Sequence, residues 1–187
     1  TDDPHELEVA QRMRPFDPLS WYEEWNRVAQ INEEIAQGYE EKGLNVSANR
    51  FYLRASRFHR LSIVYQEDTD DTMMAGYNKF REFFDKAYEM VPAPFERVTI
   101  NVDGNQLGGY FRKPGGPEGT RFPTVIAYQG ADSLAENTIL GAGGYTSRGM
   151  AYLVVDLPGQ GAPKRLQNLY MPPDTERLVS PLIDYLE

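Results

Sequence analysis

Cysteine is absent from the 187 residues. That excludes disulfides and thiolate metal sites. Histidine is scarce as well: His5 and His59 are the only two, too far apart to suggest a metal site. Neither a metal nor another cofactor is expected. No apolar run approaches the roughly 20 residues of a membrane-spanning helix, and the N-terminus shows no signal-peptide pattern. Positive charge is short too. Nineteen Lys and Arg against 28 Asp and Glu leave a formal charge of -9, which suits neither a nucleic-acid groove nor an anionic membrane. No nucleic-acid or membrane partner is expected, and a soluble cytoplasmic protein is the default. The first residue is Thr1 rather than Met, as in a processed or trimmed start.

What is present is enough for a core. Hydrophobic residues make up 41% and aromatics 12%, in a length that holds one ordinary domain or two small ones. Residues 1–17 are polar, proline-bearing and aperiodic, and read as a surface arm. From Leu19 to Glu41 the residues Trp21, Trp25, Val28, Ile31, Ile35 and Tyr39 recur at spacings of three and four, the stripe of an amphipathic helix. Gly43 stands where a helix stop belongs. Ser47 is a candidate N-cap for a second helix from Ala48 to about Gln66. Its apolar residues cover more than one face, as in a helix sandwiched between neighbours. A third helix follows the acidic run 67–71, with Met73, Tyr77, Phe80, Phe84, Ala87 and Val91 as its buried stripe. Pro92-Ala93-Pro94 ends it.

The pattern then changes. Val98, Ile100 and Val102 alternate with polar residues, a half-buried strand. Asp103-Gly104 is a hairpin turn signal, and Leu107 to Lys113 returns. Phe122 to Tyr128 is a mostly apolar strand of the kind covered on both faces. A crossover helix is expected from about Glu136 to Arg148. A buried strand follows from Ala151 to Val155, then the glycine-rich turn Asp156-Leu157-Pro158-Gly159-Gln160-Gly161. Asp174 to Leu186 reads as a further helix, with Leu178, Leu182 and Tyr185 on one face. The domains are therefore an arm, 1–17, a helical module, 18–93, and an α/β domain, 94–187.

Helical front end, V-T-I-N-V-D-G, F-P-T-V-I-A-Y-Q-G-A-D-S and R-G-M-A-Y-L-V-V-D-L-P-G-Q-G, in that order, resemble the α/β-hydrolases that include 2,6-dihydroxypseudooxynicotine hydrolase. The fungal polyketide-shortening hydrolases of pigment synthesis and the fermentation/respiration-switch esterases belong to the same group. The resemblance implies an α/β fold: a helical cap module followed by the first strands of an α/β-hydrolase sheet, incomplete in this chain. It implies a serine-type enzyme cleaving an ester, or a C–C bond beside a ketone, in a small or polyketide-like substrate. Its Ser, Asp and His triad is expected beyond residue 187, because no serine here stands in the G-x-S-x-G elbow. Gly144 to Gly149 has the wrong spacing. A C-terminal hydrolase half, in the same precursor or a second chain, is thus an expected partner, and a homodimer is compatible with the reading. A sheet cut after four strands would expose an apolar edge, which favours such a continuation. The alternative is a non-catalytic truncated relative serving as a binding or regulatory module. A prolyl-oligopeptidase-type peptidase shares the front end, but the three helices speak against it.

One functional element carries over. In such enzymes one oxyanion-hole N–H comes from the loop after the third strand, here Tyr128 to Ser133. The backbone N–H of Ala131 is the expected donor, with Gly130 permitting the sharp turn. Gln129, Gly130 and Asp132 are the candidate substrate-binding residues. Gln129 stands where such enzymes commonly have histidine. Asp156 ends a strand but reads as a support for its turn. His59 lies mid-helix beside Arg57 and Arg60 without an orienting carboxylate four residues away, so a partly buried helix histidine outweighs a general base. The aromatic stripes read as core, although Tyr52, Tyr65 and Tyr77 are candidates for lining a cleft. The glycines at 141–144 lack the G-x-x-x-x-G-K-[ST] pattern of a phosphate loop.

Overall fold

The computed structural model describes residues 4–187, with side chains from Glu6 onward, so His5 lies outside the described side chains. The chain forms two compact units, 1–92 and 93–187.

The first unit is helical. Where the sequence suggests an aperiodic arm, Pro4–Arg12 form α1. A single apolar residue, Val9, is fully buried with Trp25, Val28, Ala29 and Phe58, too sparse a signal to give a period. Three longer helices follow: α2 (Pro18–Glu40), α3 (Asn45–Ser62) and α4 (Asp71–Met90). Asp17 caps α2, its side chain accepting from the Ser20 amide at 2.9 Å. The chain reverses at Gly43, which has φ +68°. Ser47 is not the N-cap expected of it. Leu44 occupies that place without a side-chain cap bond, and Ser47 falls inside the first turn.

The middle helix α3 packs on both α2 and α4, which explains its apolar residues all round. The buried face of α2 runs through Trp25, Val28, Ala29, Asn32 and Ala36, whereas Ile35 is exposed. Ala36 on that face shares one core cluster with Ala48, Tyr52 and Ala55 of α3 and with Phe83 and Ala87 of α4. The stripe expected of α4 is buried from Met73 through Ala87, with Phe83 added to it.

The second unit is built on a four-stranded mixed sheet in the order β1-β2-β4-β3. Strands β1 (Glu96–Val102) and β2 (Asn105–Arg112) form an antiparallel hairpin. Its turn places Asp103 at φ +52° and Gly104 at φ +81°, the left-handed pair that matches strand twist. β2 is antiparallel to β4 (Ala151–Val155), and β3 (Thr124–Ala127) runs parallel to β4. All five residues of β4 are buried. Leu153 and Val155 meet Val98, Ile100, Val102 and Leu107 in the core, closed by Leu157, Leu178 and Leu182.

The connections are more broken than the sequence suggests. The crossover is α5 (Ala135–Ile139), a 3-10 turn (Leu140–Ala142) and α6 (Gly143–Thr146), because the glycines between weaken an α-helix. A short helix, α7 (Gly161–Gln167), follows the glycine turn and was not expected. The last helix divides into a 3-10 turn (Thr175–Leu178) and α8 (Ser180–Leu186). Leu178 and Leu182 are buried there, while Tyr185 is exposed over less than half of its surface. No helix among the described residues is long and apolar enough to cross a membrane.

Candidate active-site loop

Parallel strands β3 and β4 deliver two loops to the same end of the sheet, their C-terminal end. The loop after β3 carries Tyr128 to Ser133, and the loop after β4 carries Asp156 to Gly161. Side chains tie the two together. Asp156, 3% exposed, accepts through Oδ1 from the Ala135 amide at 2.9 Å and from Gln129 Nε2 at 3.1 Å. Thr138 Oγ1 donates to Gln129 Oε1 at 2.6 Å. Gln160, also 3% exposed, donates from Nε2 to the carbonyl of Gln129 at 2.7 Å and to that of Gly130 at 3.3 Å. Its Oε1 accepts from the Leu157 amide at 3.1 Å.

Burial pushes the Asp156 carboxyl above the usual carboxylate range. The Ala135 amide, the Gln129 side chain, the Ala162 amide and the charge of Arg165 oppose that rise. The carboxyl is therefore a buried clasp between β4, α5 and the start of α7, the supporting role its place in the sequence suggests. Gly161 is required beside it. It has φ +36°, and a Cβ there would lie 1.8 Å from Asp156 Oδ2.

Gly130 and Ser133 close a tight turn, with the Ser133 amide donating to the Gly130 carbonyl at 3.1 Å. Ala131 and Asp132 are its central residues, and both are exposed. Gly130 has no positive φ, so left-handed backbone is not its reason for being there. Among the described residues the Ala131 amide has no hydrogen-bond partner. The Gln129 side chain, by contrast, is engaged at both ends within the protein.

The remaining candidates lie in the helical unit. His59 is 1% exposed, and its Nε2 meets Glu33 Oε1 of α2 at 2.5 Å. The carboxylate that its own helix does not supply comes from the neighbouring helix. Its ring stacks on Phe83. Tyr52 and Tyr77 are wholly buried in the helical core, and only Tyr65 of the three is exposed. Tyr65 lines a cavity of 630 Å³ together with Met13, Arg14, Phe16, Asp17 and Trp21. Sequence reasoning missed both this cavity and Gln160. The cavity is lined mainly by residues 13–18, which lead from α1 into α2, and nothing in the residue pattern marks Gln160 beyond its place in the glycine turn.

A family model described as esterase FrsA-like matches residues 14–172. The chain is 31% identical to the hydrolase LUC6 of Fusarium sp over 96% of its own length and 44% of that protein's. It is 30% identical to the 20-hydroxy-prefusarin hydrolase FUS2 of Gibberella moniliformis, with the same coverage of both. The crystal structure of 2,6-dihydroxy-pseudo-oxynicotine hydrolase superposes with a TM-score of 0.76 at 25% identity, covering 97% of this chain and 49% of that one. The chain spans less than half the length of each of these relatives.

Proposed function

Because this chain belongs to the FrsA-like esterase family, we propose that it is the front part of a serine-type α/β-hydrolase whose loop after β3 supplies half of the oxyanion hole. The observation that carries this is the Ala131 amide, exposed and unpartnered among the described residues, in a turn held from behind by buried side chains. No serine of the sequence stands in G-x-S-x-G, so the nucleophile, acid and base belong to the part of the relatives' length outside these residues.

The chemistry needs such an amide. When a nucleophile attacks a carbonyl carbon, negative charge develops on the carbonyl oxygen. A fixed N–H dipole stabilises that charge, and one such donor is worth about 3 kcal/mol. Gly130 and Asp132, exposed on either side of Ala131, are placed to touch the substrate. The substrate class is an ester, or a ketone cleaved at the adjacent C–C bond, of small or polyketide-like size. Two of the relatives bear names that point that way, 20-hydroxy-prefusarin hydrolase and 2,6-dihydroxy-pseudo-oxynicotine hydrolase.

The test is to treat the full-length protein with a fluorophosphonate, map the labelled residue, and assay a p-nitrophenyl ester beside a β-diketone. One labelled serine in G-x-S-x-G, with loss of hydrolysis on labelling, is the expected result. The preferred substrate then separates esterase from C–C hydrolase. A full-length protein that neither labels nor hydrolyses would overturn the proposal in favour of a binding or regulatory module.

A further inference from the structure

The peptide joining Gly130 to Ala131 is restrained through its carbonyl. That oxygen accepts from the Ser133 amide at 3.1 Å and from Gln160 Nε2 at 3.3 Å. The same Gln160 nitrogen holds the preceding carbonyl, of Gln129, at 2.7 Å. Which end of the Gln160 amide is nitrogen follows from its surroundings: one end faces two carbonyls, which need a donor, and the other faces the Leu157 N–H, which needs an acceptor. The described residues contain no cis peptide bond. In a planar trans peptide the C=O and N–H point in opposite directions. Whatever fixes the Gly130 carbonyl therefore fixes the Ala131 N–H on the opposite side.

We propose that Gln160 is the positioning residue of the oxyanion hole: its buried amide clamps the carbonyls of Gln129 and Gly130 and so aims the Ala131 N–H at the reacting carbonyl oxygen. This rests on the oxyanion role proposed for Ala131. Gln160 is suited to it because its own backbone is tethered. Its amide donates to the Leu157 carbonyl at 2.9 Å, and the neighbouring Gly159 amide donates to Leu169 at 2.7 Å. Without Gln160, the Ser133 amide alone would restrain the Gly130 carbonyl. Rotation of that peptide would present an acceptor where a donor is needed, and preorganisation is what gives such a donor its effect.

The experiment uses the full-length protein carrying Gln160→Leu, with kcat read per fluorophosphonate-titrated site so that misfolded molecules do not count. The expected result is a fall in kcat of about 10- to 100-fold, part of the loss that follows removal of a whole donor, with KM unchanged. Affinity for a boronic-acid transition-state analogue should fall by the same factor as kcat/KM. A merely structural role would lower thermal stability and leave both values per titrated site intact, and that outcome overturns the proposal. So does a rise in KM at constant kcat. If Gln160→Leu does not fold, Gln160→Glu is read against pH. Its deficit should shrink as pH falls and the carboxyl regains a proton to donate, and a deficit independent of pH overturns the proposal. A wild-type protein that does not titrate with fluorophosphonate overturns the hydrolase reading itself, a failure distinct from the others.

Discussion

Asp156 accepts the Ala135 amide at 2.9 Å, so the residue that follows strand β4 also caps the first turn of the helix after its neighbour β3. Helix α5 has no side-chain cap from its own N-cap residue, Leu134. The cap arrives from 21 residues away, and it ties the position of the loop after β3 to that of β4.

The titration of Asp156 should run against the usual direction for a carboxylate. Burial, the largest influence, raises its folded value above the unfolded one. The unfolded chain then loses its proton first as pH rises, so stability from this group is present below the unfolded value and lost as pH climbs through the folded one. Wild type should thus hold its largest advantage over Asp156→Asn in acid, and the advantage should decline toward neutrality. Denaturant unfolding at several pH values would measure the difference. A gap that widens with pH would show that the opposing amides and Arg165 outweigh burial.

Gly161→Ala tests the same clasp by steric means. Its Cβ would fall 1.8 Å from Asp156 Oδ2 at a backbone φ of +36°, so the carboxyl must move and release Ala135 or Gln129. A loss of about 1–3 kcal/mol is expected, the usual cost of overpacking. Gly108→Ala, where a Cβ meets nothing within 4 Å, is the comparison, and equal losses in the two variants would refute the clasp.

Legibility in the sequence follows how local each cause is. Strand β4 is plain because five consecutive apolar residues are all buried and a D-x-P-G-x-G turn follows at once. The hairpin is plain because Asp103-Gly104 sets its register. Helix α1 is hidden because one valine makes its contact, and the crossover reads as one helix because its glycines break it without altering the apolar spacing. The amide of Ala131 could be indicated only by resemblance. The side chain that restrains its peptide could not be, since Gln160 meets its partners across 30 and 31 residues. The carboxylate on His59 is likewise 26 residues away, on another helix.

That His59–Glu33 pair should hold the helical unit together more than its neighbours do. Glu33→Ala leaves a buried imidazole nitrogen without its partner, which costs about 1–3 kcal/mol. Glu34→Ala, on the exposed face of the same helix, should stay within about 0.5 kcal/mol of wild type. Denaturant midpoints read from Trp21 and Trp25 fluorescence decide it, and equal midpoints for the two variants would show that the pair contributes nothing net.

Helix α1 offers the sharpest test of how the helical unit is closed. At nine residues it is too short to persist alone in water, so its helicity must come from contacts. Val9 is fully buried beside Trp25 and Phe58, and Glu6 meets Arg57 at 3.1 Å. The ion pair has an exposed arginine and is worth little, which leaves Val9 as the principal anchor. Val9→Asp would bury an unpaired charge, and releasing the helix costs less than keeping that charge in the core. Hydrogen exchange across residues 4–12 should accelerate to the rate of an unstructured peptide. The amides of α3 and α4 should keep their protection, because α3 packs mainly on α2 and α4 rather than on α1. Arg57→Ala should leave α1 protected. If instead Arg57→Ala frees the helix and Val9→Asp does not, the ion pair is the anchor and apolar burial is secondary.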